Sequence, residues 1–501
     1  MKKIVMLPLD ERPCNFGYPQ MMPKAGFELV LPPKDFMGDK KTPADTARLA
    51  DWLLTAARGA DACILSLDTL IYGGIVPSRL HGDSTETLLA RARTVERLRR
   101  ENPRMKLYAF QLIMRCPSYS LSDEEPDYYD ECGEELHLYG RYTHLEKLGK
   151  LTEADAADFE RVKKKISPAH LNDFIGRRDK NIAVLMHNLE YIKNGTVDYF
   201  VIPQDDSAVY GFTSMDQMRV REFLKSNSLH AKTAMYPSAD DTGLILLARA
   251  AAELFGKKPK IFVHYASSKG GEVVPWFEDR AVNETVKYHI LAAGGIRVYS
   301  LAEADILLAV NVGSGMYYED DPAHAAAYDV DRNLAEFVSC IEYALSEGKF
   351  VAVGDIANCN GGDQELVKLL QREGLLFRIH AYAGWNTSSN TLGTAVCQCV
   401  LYMLGGDSAG NESFLVHRYY EDIGYMSYAR KYVTDNVLPQ LGLDYFHADG
   451  KRGKAAEAVK SALVSFMAEH FPAVSERAGE ISVEMPWRRM FETEVRILPK
   501  D

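Results

Sequence analysis

The sequence predicts an α/β fold with a TIM-barrel-like parallel core over residues 1–405 and a mainly helical C-terminal region over residues 406–501. Short apolar segments alternate with amphipathic ones, which is typical of parallel sheets covered by helices. Polar motifs follow the apolar segments, and the alternation stops after Gly406. The same pattern also fits two doubly wound α/β domains with a cleft between them.

Ten segments rich in apolar or β-branched residues predict strands. They are 3–8, 27–32, 61–67, 106–113, 198–203, 231–236, 260–265, 305–311, 349–354 and 376–382. A simple barrel needs only about eight strands, so we expect an inserted α/β unit around residues 256–310.

Amphipathic segments between these strands predict helices, among them residues 42–59 and 241–256. Residues 119–178 begin with the acidic, aromatic stretch "YSLSDEEPDYYDE" and predict a helical excursion over a site. After residue 405, helical segments follow one another without strands, and "ISVEMPWRRMFETEVRIL" allows one or two strands near the end.

The composition describes a globular protein with an acidic balance. The 501 residues carry a net charge of −12 with 47% hydrophobic residues. Nucleic acid and anionic membranes attract a basic surface, so neither is an expected partner. No apolar run approaches the roughly 20 residues of a membrane span. The N-terminus predicts a strand rather than a signal peptide, and the eight cysteines include no CxxC, so we expect a cytoplasmic location.

Chemically versatile side chains follow nearly every predicted strand at its carboxyl end. In parallel α/β folds, ligands bind beyond these ends, which predicts a shared site. The candidate binding residues are Asp10, Arg12, Asp68, Tyr72, Arg79, Arg115, Asp240, Asp241, Asn360, Asp363, Trp385, Asn386 and Asn390, and the candidate catalytic residues are Asp205 and Asp206.

Carboxylates, amides and an aromatic platform suit a polyhydroxylated ligand such as a sugar. No GxGxxG follows the first strand, and GxxxxGK[ST], HExxH and GxSxG are absent, which disfavours dinucleotide, P-loop, zincin and serine hydrolase chemistry. We therefore expect a small-molecule carbohydrate as the partner, no cofactor, and no nucleic acid or membrane. Homo-oligomer formation stays open.

The adjacent aspartates Asp205 and Asp206 follow an apolar strand. Strand neighbours point to opposite faces, so both can face one site only if the strand ends there, as Pro203 and Gly211 suggest. Two close carboxylates raise one pKa, which suits a general acid at neutral pH. A purely structural interpretation has Asp206 capping the next helix and Asp205 paired with an arginine.

Several motifs together resemble a bacterial family known as domain of unknown function 4127. They are "LPLDERP", "SLDTLIYGGIVPSR", "PQDDSAVYG", "PSADD", "NGGD" and "AGWNTSSNTLGT", spread over roughly residues 1–405. The family's usual first motif is Asp-Asp-Arg-Pro, where this chain has Glu11 in second place. The family label implies no activity.

An Asp-Asp pair with a later Trp-Asn motif also resembles the barrel β-N-acetylhexosaminidases that use substrate-assisted catalysis. This resemblance implies that Asp205 orients an acetamido group of the substrate and that Asp206 is the general acid/base. The sequence thus favours a glycosidase acting on a small sugar conjugate, N-acetylated if this resemblance extends to the substrate.

Three alternatives remain open from the sequence. A glycosidase with a protein nucleophile would need two separate carboxylates, such as Asp206 with Asp240 or Asp355. A metal-dependent enzyme acting on a polyhydroxylated or phosphorylated substrate could gather Mg or Mn with Asp68, Asp206, Asp241 and Asp355. A cytoplasmic carbohydrate-binding protein could use the same polar rim without turnover.

Overall fold

The computed structural model describes residues 1–315 and 330–498. Within these residues, the parallel strands form two open sheets. The first sheet has the order β2-β1-β3-β4-β5-β6. Its strands are β1 (Lys2–Leu7), β2 (Phe27–Val30), β3 (Ala62–Ser66), β4 (Lys106–Phe110), β5 (Tyr199–Gln204) and β6 (Thr233–Pro237).

The second sheet has the order β11-β10-β9-β7-β8 and is also parallel throughout. Its strands are β7 (Lys260–Tyr265), β8 (Ile296–Arg297), β9 (Ile306–Asn311), β10 (Phe350–Asp355) and β11 (Ala381–Ala383). The strands expected near residues 260–310 therefore belong to the sheet of β10 and not to the first sheet. A small antiparallel sheet joins β12 (Ile481–Glu484) to β13 (Glu494–Ile497).

The α/β class with parallel sheets is confirmed, but the expected TIM-like barrel is not. A closed barrel pairs its last strand with its first, whereas β2 and β6 are the free edges of the first sheet across the described residues. The chain instead leaves β6 through a helix and starts a separate sheet at β7. Two separate parallel sheets fit the doubly wound alternative, whose two domains and cleft stay predictions.

The helices fill the connections and continue through the C-terminal region. They are Tyr18–Met21, Thr46–Ala56, Leu67–Tyr72, Ile75–Leu80, Thr85–Ala92, Thr94–Glu101, Tyr129–Lys147, Glu153–Lys165, Pro168–Lys193, Phe212–Ser226, Thr242–Leu254, Val282–Ala292, Leu334–Ser346, Gln364–Arg372, Ser388–Met403, Ser408–Arg418, Arg430–Asn436, Leu438–Leu441, Lys454–His470 and Pro472–Ser475. Pro13–Gly17 and Tyr419–Ala429 are π-helical. The expected domain boundary near residue 405 stays a prediction.

Central strands of the two sheets, among them β3, β5, β9 and β10, are buried on both faces. Every residue of β3 and β5 is buried, which explains why these segments are continuous apolar runs rather than alternating ones. No helix in the described ranges combines the length and apolarity needed to cross a bilayer.

Two almost fully buried helices connect the sheets. Helix Thr242–Leu254 packs on β3 and β4, helix Ser388–Met403 packs on β10 and β11, and the two helices pack on each other. A Cβ on Gly393 would lie 1.9 Å from a carboxylate oxygen of Asp241, so only glycine allows this approach. Because each helix begins just after a predicted site motif, this packing brings both motifs to one place.

Candidate active site

A cavity of about 530 Å³ lies at the carboxyl ends of β5 and β6. Nine of the fifteen candidate residues line it: Arg12, Arg79, Arg115, Asp205, Asp206, Asp240, Asn360, Asn386 and Asn390. Ligand sites in open parallel sheets lie at this end of the strands, and the volume suits a small molecule.

Asp205 and Asp206 both face the cavity because the chain turns sharply where β5 ends. Asp206 has φ of 38°, in the left-handed region that non-glycine residues rarely adopt. Two other cavity residues, Phe277 and Asn360, have positive φ as well, at 65° and 60°. Strained backbone of this kind concentrates at functional sites.

Each aspartate of the pair is held by its own arginine. Arg79 Nη2 donates to Asp205 Oδ2 at 2.6 Å, and Arg115 Nη1 donates to Asp206 Oδ2 at 3.0 Å. The side chains remain 12% and 21% exposed, and their Oδ1 atoms accept no hydrogen bond from any described residue. One oxygen of each carboxylate is therefore available to a ligand.

The pKa of Asp206 is raised to about 6. Burial is the largest cause, Arg115 opposes it, and the negative charge of Asp205 adds to the increase. Near neutral pH, Asp206 can therefore both give and accept a proton, which is what acid/base catalysis requires.

A second carboxylate, Asp240, lines the cavity after β6. It accepts hydrogen bonds from Arg12 Nη2 at 2.6 Å and from Asn15 Nδ2 at 2.9 Å. Burial raises its pKa to about 6 against the influence of Arg12. Asn390 Oδ1 fixes the local backbone by accepting from the amides of residues 239, 240 and 241 at 3.3, 3.0 and 3.3 Å.

Glu124 connects three arginines of the cavity wall. Its carboxylate accepts hydrogen bonds from Arg79 at 2.9 Å and Arg115 at 3.3 Å, and it also pairs with Arg489. Burial opposes ionisation of Glu124, but the three arginines outweigh it and hold its pKa well below the ordinary value. Glu124 is therefore a fixed negative charge that holds the arginines in place.

Glu278 is a further buried carboxyl at the cavity. Its Oε1 accepts hydrogen bonds from the Ser389 amide at 2.8 Å and from the Ser389 hydroxyl at 2.7 Å. Burial raises the pKa of Glu278 to about 7. The preceding residue, Phe277, accepts a hydrogen bond from the Ser207 amide at 2.8 Å, which ties this segment to the aspartate pair.

The loop between β12 and β13 completes the cavity from the C-terminal region. It supplies Arg489 and Phe491 to the lining. The guanidinium groups of Arg12 and Arg489 lie 4.4 and 4.7 Å from the centroid of the Trp487 ring. These cation–π contacts connect the loop to Arg12, which follows β1.

Six candidate residues do not line the cavity: Asp10, Asp68, Tyr72, Asp241, Asp363 and Trp385. Their proposed contacts with substrate stay predictions, although each has a structural partner in the fold. Asp10 holds Arg12 at 2.7 Å, Asp68 accepts from the Leu112 amide at 2.9 Å, and Gln111 donates to Tyr72 at 3.3 Å.

The other three are just as deeply embedded. His289 lies 3.1 Å from Asp241, and Asp363 caps helix Gln364–Arg372 by accepting from the Glu365 amide at 2.9 Å. Trp385 donates to Thr394 at 3.2 Å and is 5% exposed, so its ring offers no open platform for a sugar.

The carboxylates considered for Mg or Mn are not clustered. Asp68, Asp206, Asp241 and Asp355 each have different hydrogen-bond partners. Over residues 1–315 and 330–498, no group of three or more His, Cys, Asp or Glu side chains is arranged to hold a metal ion. The geometry therefore gives no support to that four-residue metal site.

Comparison with known families gives one match. The profile described as "Protein of unknown function (DUF4127)" matches residues 4–496. The chain belongs to the DUF4127 family. No curated protein and no solved structure matches it. Membership confirms the resemblance seen in the motifs and extends it beyond residue 405, and the family description assigns no activity.

Several cavity residues of this DUF4127 protein could not be predicted from the polar motifs that follow the strands. Glu124 lies in the acidic stretch that predicted a cover over the site, so composition gave a partial signal. Glu278 and Arg489 lie in loops that follow no polar strand-end motif. Only the "WRR" run of the last hairpin, with two cations beside an aromatic ring, could have pointed to Arg489.

Proposed function

We propose that this DUF4127 protein is a glycoside hydrolase that acts on a small sugar conjugate. The observation that carries the proposal is the pair Asp205–Asp206, which presents two open carboxylate oxygens to one cavity, with the pKa of Asp206 raised to about 6. Aromatic rings and amides on the same walls are suited to a sugar.

In this proposal Asp206 is the general acid/base. In its protonated form it donates a proton from Oδ1 to the glycosidic oxygen as the bond to the leaving group breaks. The resulting carboxylate, stabilised by Arg115, then takes a proton from the water that attacks the sugar.

Asp205 has the orienting role. Its pairing with Arg79 keeps one oxygen occupied, and the other can accept a hydrogen bond from an acetamido N–H of the substrate. This would place the acetamido oxygen as the nucleophile, as in substrate-assisted catalysis. N-acetylated substrates should then be cleaved and their 2-hydroxyl counterparts should not.

A protein nucleophile is the second version of the same function. Asp240 favours it because this carboxylate lines the same cavity and also has a pKa raised to about 6. Cleavage that does not depend on an N-acetyl group, with loss of activity in Asp240→Asn, would select this version.

Release of nitrophenol from a panel of aryl glycosides, including N-acetylhexosaminides, tests the proposal. We expect turnover of at least one member and its loss in Asp206→Asn. The control is Asp127→Asn, which changes a carboxylate of the neighbouring loop whose side chain is 99% exposed. If no glycoside turns over while sugars bind equally to the wild type and Asp206→Asn, the protein is a carbohydrate-binding protein instead.

A further inference from the structure

The arginines of the cavity are already paired with carboxylates. All three guanidinium nitrogens of Arg115 donate to acidic side chains, to Glu125 at 2.7 Å, to Asp206 at 3.0 Å and to Glu124 at 3.3 Å. Every guanidinium nitrogen of Arg489 also donates to a carboxylate. The charge of each of these two guanidinium groups is therefore already paired with carboxylates.

Arg79 and Arg12 are engaged in the same way. Arg79 donates to Glu124 at 2.9 Å and to Asp205 at 2.6 Å. Arg12 donates to Asp10 at 2.7 Å and to Asp240 at 2.6 Å. A phosphate would have to compete with these carboxylates for each guanidinium group, and a buried carboxylate left without its partner is strongly destabilising.

Acceptor atoms, in contrast, are in excess. Four arginines and six acidic residues line the cavity. In the described parts of the chain, Oδ1 of Asp205 and Oδ1 of Asp206 have no hydrogen-bond partner. Oδ2 of Asp240 has only a contact of 3.5 Å from Asn386. These open oxygens suit a ligand that donates hydrogen bonds and brings positive charge.

Aromatic rings lie on the same walls. Tyr119, Phe277, Tyr445, Phe446 and Phe491 all line the cavity. The face of an aromatic ring attracts a cation, and carboxylates combined with such faces form typical sites for ammonium groups. The aromatic rings therefore favour a positively charged ligand, as the excess of carboxylate oxygens does, although the two interactions are independent.

We propose that the substrate carries a positively charged ammonium group and no phosphate. The inference rests on the proposed glycosidase function and narrows its substrate to a cationic sugar conjugate. The ammonium belongs to a part of the conjugate other than the acetamido group that Asp205 would orient, and the open oxygen of Asp240 is its expected partner.

Calorimetric titration of the full-length protein at about pH 7.5 tests this with three matched probes. The probes are methyl N-acetyl-β-glucosaminide, its 6-amino-6-deoxy derivative and its 6-phosphate. We expect the amine to bind about tenfold more tightly than the neutral sugar, and the phosphate to bind more weakly than both. Raising the salt from roughly 0.05 to 0.5 M should reduce the advantage of the amine.

Asp240→Asn should abolish that advantage, and Glu469→Gln, a carboxylate that is 75% exposed, should preserve it. Should Asp240→Asn fail to fold, the salt series on the wild type still decides. Equal or tighter binding of the phosphate overturns the inference while leaving the glycosidase proposal intact. Preference for the amine without turnover of any glycoside supports the inference and rejects the glycosidase. Binding of none of the three probes contradicts both.

Discussion

In the first sheet, β5 and β6 are followed by aspartates that face a cavity. In the second sheet, β10 ends in an aspartate that is enclosed by neighbouring residues. Asp206 has one oxygen on Arg115 and one open. Asp355 accepts from Asn311 at 2.8 Å, from Tyr382 at 2.8 Å and from the Asp363 amide at 2.7 Å. A strand-end carboxylate is therefore available for chemistry only when its neighbours leave one of its oxygens without a hydrogen bond.

The backbone accounts for this difference. Asp355 is the last residue of β10, in register with Asn311 of β9, so the neighbouring strand reaches its carboxylate directly. Asp206 lies beyond the end of β5, where its φ of 38° turns the chain out of the sheet and toward the cavity. β5 and β6 thus lead into carboxylates that keep an open oxygen at the cavity, whereas β10 ends in a carboxylate that binds the neighbouring strand.

Replacement of the open carboxylate should have the largest effect. Asp206→Asn removes the exchangeable proton while keeping size and one acceptor, so kcat/KM on a cleaved glycoside should fall between about 100- and 10,000-fold. Steady-state kinetics measures it, and circular dichroism checks the fold. Full activity in Asp206→Asn would show that the open carboxylate of Asp206 is not the general acid and would favour Asp240 in that role.

Replacement of the enclosed carboxylate should change stability instead. Asp355→Asn disturbs three buried hydrogen bonds, so the free energy of unfolding should fall by about 1 to 3 kcal/mol while kcat stays near the wild-type value. Urea unfolding and kinetics on the same sample separate the two effects. A hundredfold loss of activity without loss of stability would instead make Asp355 part of a catalytic pair.

Strand positions were predictable from sequence, and strand partners were not. The segment 305–311 includes β9 because buried parallel strands are local apolar runs. The segment 376–382 overlaps only the three-residue β11, since its early part is apolar for packing rather than for pairing. Which sheet a strand joins depends on contacts with distant segments, so the sequence pattern fitted both a barrel and two sheets.

The residues of the candidate site were also predictable only in part. Asp205, Asp206 and Arg115 were found because the carboxyl ends of parallel strands meet at one edge. Trp385 follows a strand too, but its ring packs edge-on against Tyr18 at 5.5 Å between centroids, which a list of strand-end residues cannot foresee. Arg489 reaches the cavity from an antiparallel hairpin, to which the strand-end rule does not apply.

Replacement of Arg115 should change the pH dependence of kcat/KM. Arg115 opposes the increase in the pKa of Asp206 caused by burial, so Arg115→Met should raise that pKa further. Because a general acid acts in its protonated form, the alkaline limb of the kcat/KM profile should move to higher pH by about one unit. Arg115→Lys, which keeps the charge, should shift it less. A shift toward lower pH would contradict the assignment of Asp206 as the acid.

A smaller effect is expected at Asn390, which positions a carboxylate without touching the reacting atoms. Asn390→Ala removes the acceptor of three backbone amides beside Asp240, so kcat should fall roughly ten- to a hundredfold through misplacement of that loop. Asn390→Asp keeps an acceptor oxygen and should retain more activity. Equal activities for the two variants would show that the amide clamp does not position Asp240.

The smallest effect is expected in the pH dependence of the free energy of unfolding, to which the enclosed carboxyl groups should contribute most. Burial raises the pKa of Asp68 and Asp355 to about 7 and that of Asp422 to about 8, all above the values in the unfolded chain. The native state therefore binds more protons, so the free energy of unfolding should fall as pH rises from about 5 to about 8. Asp68→Asn removes one such group but keeps an acceptor for the Leu112 amide, and it should flatten the slope in urea unfolding. If the free energy of unfolding rose over this range, the enclosed carboxyl groups would have to be ionised in the native state. Only hydrogen-bond geometry would then distinguish them from the open carboxylates of the cavity.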